Sequence, residues 1–126
     1  MRLASLSLLL LLALTLSAAD LEGRYTGDWS GGAAAGDMRL TLSRSGDEWK
    51  CEAFFTLSGQ EVPTIIKRVK IDGDKVEIEY EFDLQGNKLK STLTGKLEGQ
   101  TLSGNYHTVD SGGGAVDDGS WKVTRK

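Results

Sequence analysis

Cysteine, proline and histidine each occur once in the 126 residues, as Cys51, Pro63 and His107. A single cysteine excludes an internal disulfide, so the fold must rest on an apolar core or a closed sheet. A single histidine excludes a multi-histidine metal site, and haem ligation would rest on His107 alone. Basic residues are also in deficit, 15 Lys and Arg against 18 Asp and Glu. Nucleic acid needs a basic patch to neutralise its phosphates, which excludes it as a partner. No glycine-rich turn opens a helix, so the phosphate-binding loops are missing. Beyond the first twenty residues no long apolar run and no helical spacing occur.

The chain does have a short apolar stretch at its start. MRLASLSLLLLLALTLSAAD carries Arg2, then a leucine-rich run from Leu6 to Leu16, then Ser17 and Ala19. The run is too short for a membrane span, and its flanks fit a secretory signal peptide. Residues 1–19 are therefore expected to be removed by cleavage before Asp20. The exported part, periplasmic or extracellular, is one domain over 20–126 with no membrane span. Losing Arg2 moves its formal charge from -3 to about -4.

What fills the rest is alternation. In KVEIEYEFD, Val76, Ile78, Tyr80 and Phe82 point one way and Glu77, Glu79 and Glu81 the other. Period two over this length is a half-buried strand. Sixteen glycines mostly punctuate such runs, at 23–30, 37–44, 48–57, 64–71, 75–82, 88–97, 101–108 and 120–126. Two-residue turns centred on Ser45-Gly46, Asp72-Gly73, Gln85-Gly86 and Gly99-Gln100 set the register. They pair Leu42 with Trp49, Val69 with Val76, Phe82 with Leu89 and Leu97 with Leu102. Opposite charges then meet on the other face, as with Glu81 and Lys90.

The expected fold is all-β, an up-and-down antiparallel meander closed as an eight-stranded barrel, with a β-sandwich as the alternative. Closure hides the apolar face and both sheet edges. Connections alternate between the two ends, so SGGAAAG, SGQEVP and VDSGGGAVDDG all emerge at one mouth. That mouth is either a ligand site or tolerated slack in surface loops.

Few residues invite chemistry. Glu77, Glu79 and Glu81 read as a solvated face and His107 as a surface residue opposite Thr92. Cys51 alternates with inward residues and reads as a small buried hydrophobe. Asp110, Asp117 and Asp118 read as an acidic loop, without the spacing of a calcium loop. No nucleophile–base pair is apparent, so no catalytic residue, metal site or cofactor is assigned. Gly95 opposite Gly104 would either leave a pocket or admit bulky neighbours. Phe54 and Ile66 fall on the polar face as a small apolar patch.

Gly27-Asp28-Trp29 on the first strand, with Arg125 in the last, resembles the signature of lipocalins and the wider calycin group. The group consists of eight-stranded barrels that carry small apolar ligands. Gly104-Asn105-Tyr106 is similar to the avidin branch, and the whole pattern resembles small exported bacterial β domains. The resemblance implies a first-strand Trp packed at the closed end near the last-strand Arg. The register instead puts Trp29 at the loop end. The chain is also shorter than a typical lipocalin and has no C-terminal helix. The reading is a non-enzymatic module holding a small apolar or amphipathic ligand at its open mouth. Tyr25, Trp29, Tyr106 and Trp121 would line that site by shape and burial. The alternative is a filled barrel serving as a structural or protein-interaction domain of unknown partner.

Overall fold

A computed structural model describes residues 21–126. The expected signal peptide, 1–19, lies outside the described residues. The rest is one antiparallel sheet with no helix among the described residues. Its strands are β1 (Gly23–Gly31), β2 (Ala35–Ser45), β3 (Glu48–Leu57), β4 (Gln60–Pro63), β5 (Ile65–Asp72), β6 (Lys75–Leu84), β7 (Asn87–Glu98), β8 (Thr101–Asp110) and β9 (Ala115–Arg125). The spatial order is β4-β3-β2-β1-β9-β8-β7-β6-β5. The first and last strands in that order follow one another in the chain. The sheet thus curls until β5 lies against β3, giving a nearly closed barrel, not a sandwich.

The described residues form nine strands, not eight. The extra one, β4, occupies most of SGQEVP, which the sequence reading treats as loop. It folds back on β3, pairing Leu57 with Gln60 and Phe54 with Pro63. Pro63 has no N–H to offer a further ladder, and β4 is an edge strand where none is needed.

Two of the four expected registers form as read: Phe82 faces Leu89 and Leu97 faces Leu102. The other two are offset by two residues. Leu42 faces Cys51 instead of Trp49, and Val76 faces Ile71 instead of Val69. The cause lies in the turns. Gly46, Gly73 and Gly99 take φ of 63°, 63° and 64° as the first central residue of each turn. The second residue stays at negative φ, which moves the turn one position along from Ser45-Gly46 and Asp72-Gly73. Gln85-Gly86 has positive φ at both positions, 53° and 83°, as does the Ser58-Gly59 turn that joins β3 to β4. An offset of two preserves the inward face, so the core forms as the alternation requires.

A third difference changes a face. The ladder between β5 and β6 slips between Ile66 and Arg68. This bulge turns Ile66 inward against the core and leaves Ile65 65% exposed. The expected patch of Phe54 with Ile66 is therefore not formed. Phe54 is half-buried, with the Arg39 guanidinium 5.2 Å above its ring.

The tight-turn end is packed shut. Tyr25, Leu40, Leu42, Ile78, Leu102 and Val123 are each under 2% exposed. Burying side chains of this size contributes about 1.5–3 kcal/mol each. Leu21, just before β1, is 2% exposed in the same cluster, and its carbonyl accepts the Tyr25 hydroxyl at 2.7 Å. Arg125 stacks 5.4 Å over the Tyr25 ring and donates to the Glu22 carbonyl at 2.7 Å. The last-strand Arg thus meets a first-strand aromatic, but that aromatic is Tyr25, not Trp29.

Candidate functional site

At the other end four connections meet: residues 32–34, 58–59, 85–86 and 111–114. Three of them are shorter than the sequence suggests, and Gln85-Gly86 is the two-residue turn expected. The glycine-rich segments SGGAAAG and VDSGGGAVDDG are largely strand, with Gly31 paired to Gly119. Only four residues, 111–114, separate β8 from β9. Asp110 holds that turn, its carboxylate accepting the Gly112 and Gly114 N–H groups at 3.0 and 2.9 Å.

Beneath these connections lies a cavity of about 140 Å³. Its wall is mainly apolar, because the inward positions of β1, β3, β6, β8 and β9 near this end are aromatic or aliphatic. Five rings form one continuous cluster. Trp29 meets Phe55 and Tyr106 edge-on at 5.8 and 5.9 Å. Phe55 meets Phe82 edge-on at 4.9 Å and stacks on Tyr80 at 6.1 Å. Edge-to-face pairs of this kind fix ring positions as well as burying area.

Three of the four residues read as pocket lining are brought together here: Trp29, Tyr106 and Trp121. Tyr25 is not among them, being 1% exposed in the packed end. Both indole N–H groups are committed to backbone, Trp29 to Thr56 O at 3.1 Å and Trp121 to Asn105 O at 3.0 Å. These rings present faces and edges to the cavity, not donors.

Two polar features interrupt the apolar wall. Ser91 and Thr108 share a buried hydrogen bond of 2.6 Å, and the Tyr80 hydroxyl bonds to Ser91. Burial pushes the Tyr80 phenol well above its ordinary range, so it stays a neutral hydroxyl. Nearer the rim, the Tyr106 hydroxyl donates to Asp117 Oδ2 at 2.7 Å. Desolvation, then that hydrogen bond, push the Tyr106 phenol up as well. Asp117 Oδ1 also accepts the Ala33 N–H at 3.2 Å, tying the first loop to β9.

Tyr80, Phe82, Ser91, Thr108 and Asp117 complete the site beyond the residues assigned from sequence. Extending the Trp121 alternation backwards would have found Asp117, since 117, 119, 121 and 123 share one face. The missing apolar residues between 117 and 120 disguised that strand as loop.

The remaining candidates lie elsewhere. His107 faces Thr92 on the outer wall as read, hydrogen-bonded through Nδ1 to Asp118. Glu77 pairs with Arg68 at 3.0 Å, and Glu81 lies 3.9 Å from Lys67 and 4.0 Å from Lys88. That row is a charge-balanced outer surface. Cys51 packs against the core, where desolvation and then Glu52 push its thiol up to about 12. It stays a neutral thiol at ordinary pH. Among the described residues no three His, Cys, Asp or Glu side chains gather as a metal site. None of the helices needed to cross a membrane is present among them either.

Comparison of the chain with family models, with curated proteins and with solved structures returns no match.

Proposed function

We propose that the chain is an exported, non-enzymatic binding module of lipocalin-like type. It takes a small apolar or amphipathic molecule at the open end of its barrel. The observation that carries this reading is the apolar cavity under the connections, walled by Trp29, Phe55, Tyr80, Phe82 and Tyr106. One end packed solid and one end hollow is the division of labour a carrier needs. Binding would act by shape and burial, since both indole N–H groups are already used. An apolar cavity of roughly 150 Å³ accommodates a ring the size of benzene, which sets the scale of the buried part of the ligand. Export is supported by residues 1–19, with the domain at 20–126 working in the periplasm or outside the cell.

A second reading, a filled barrel acting as an interaction domain, draws on the packed half of the interior. One experiment separates the two. Mature protein purified from the exported fraction is denatured and extracted with organic solvent, and the extract is analysed by mass spectrometry. A carrier releases a stoichiometric small molecule, or binds one when titrated with small aromatics. A filled barrel does neither. Sequencing of the exported chain should begin at Asp20.

A further inference from the structure

We propose that the ligand of this cavity is a small apolar cation, or a neutral hydrogen-bond donor, and that Asp117 receives its polar end. This rests on the carrier reading and narrows it to a chemical class. Among the described residues, Asp117 is the one charged side chain in the cavity lining. Among the described residues no Lys, Arg or His lies at ion-pair distance from it. Its two hydrogen bonds, from Tyr106 Oη and Ala33 N–H, use two of about four acceptor positions on a carboxylate. The negative charge is therefore positioned but not neutralised, with lone pairs left for a ligand.

The surroundings favour the same sign. Asp83, Asp110 and Asp118 flank the connections at this end. Of the basic groups nearby, Lys88 lies 4.0 Å from Glu81 and His107 is bonded to Asp118, which leaves Lys90, opposite Val109 on the outer wall, against the three carboxylates. An approaching anion meets repulsion, while a cation is drawn to the rim. The Tyr106 hydroxyl offers no escape for a carboxylate ligand, because it is already donating to Asp117. The faces of Trp29 and Tyr106 beside the carboxylate suit an ammonium group attached to a ring. A fatty acid or other apolar anion is thus the wrong class, although the cavity wall would accept its tail.

The test compares three ligands with one ring and different heads: benzylamine, benzyl alcohol and benzoate. Each is titrated into the mature protein at pH 7 and low salt, followed by calorimetry and tryptophan emission. Benzylamine should bind at least about tenfold tighter than benzoate, with the alcohol between them. Asp117→Asn should bring the three to within about threefold of one another, by removing the charge and keeping an acceptor. Asp118→Asn, on the outer wall, should keep the tenfold order, which separates Asp117 from net charge. Benzoate binding as tightly as benzylamine would overturn the cation assignment and leave the carrier reading standing. Failure of all three, the neutral alcohol included, would overturn both.

Discussion

The indole of Trp121 occupies the space that a side chain at residue 95 would need. A Cβ placed on Gly95 would fall 2.5 Å from Trp121 Cζ2 and 2.8 Å from the Ser103 carbonyl oxygen. The Gly95–Gly104 pair is therefore no empty pocket. It is the slot into which a large ring is set, between the packed end and the cavity. Gly95→Ala should destabilise the fold by about 1–3 kcal/mol, because neither a buried ring nor a backbone carbonyl can give way cheaply. Urea unfolding of the two proteins measures this. A change below a few tenths would mean the ring is loosely held.

The turn at Gln85-Gly86 holds a residue with a side chain at φ 53°. Left-handed backbone costs most L residues about 1–2 kcal/mol, and asparagine tolerates it better. Gln85→Asn should stabilise the protein by about 0.5–1 kcal/mol, read as a rise in Tm. The neighbouring ladder should keep Phe82 against Leu89.

Alkaline pH should weaken the fold, and Cys51 sets part of the window. Its folded value is raised from 9.0 to about 12. The stability held by the neutral thiol is then complete below pH 9 and is lost as pH rises toward 12. The loss has a limiting slope of about 1.4 kcal/mol per pH unit. Tyr80 and Tyr106 shift in the same direction and steepen the fall. Cys51→Ala should flatten the pH dependence of stability across that window. An unchanged slope would mean the thiol is not buried in solution.

The legible and illegible parts of this fold divide along physical lines. Period-two alternation fixes which residues point inward, and Val76, Ile78 and Tyr80 are all buried as it requires. It is blind to an offset of two, since such a slip leaves every face unchanged. Only φ at Gly46 and Gly73 distinguishes the registers, and dipeptide patterns do not reveal it. Nor does alternation show the bulge after Ile66, because Ile65 and Ile66 are adjacent and apolar and either fits the core. Around the site, Trp29, Tyr106 and Trp121 stand out as large inward residues above the pinched end. Tyr25 has the same chemistry but sits at the other level of the barrel, and height along the axis follows from register. Asp117 was hidden because a strand of Asp, Gly and Ser has no hydrophobic signal to announce it.

The Tyr106–Asp117 bond of 2.7 Å joins β8 to β9 at the rim, and Ala33 hangs from the same carboxylate. Tyr106→Phe keeps the ring against Trp29 and removes the donor. It should cost about 0.5–1.5 kcal/mol in stability. Amide exchange at Ala33 should stay slow, since its own partner is untouched. Asp117→Ala, by contrast, should quicken that exchange.

The account depends most on the hollow end being able to accept a molecule. Two-dimensional ¹H–¹⁵N spectra of the mature protein, recorded while benzyl alcohol is added, address this directly. Saturable shifts are predicted at the indole N–H signals of Trp29 and Trp121 and at the amides of Tyr106 and Asp117, with the packed end around Tyr25 and Leu102 unmoved. Shifts that never saturate, or that spread evenly over the outer wall, would contradict a binding cavity at this mouth.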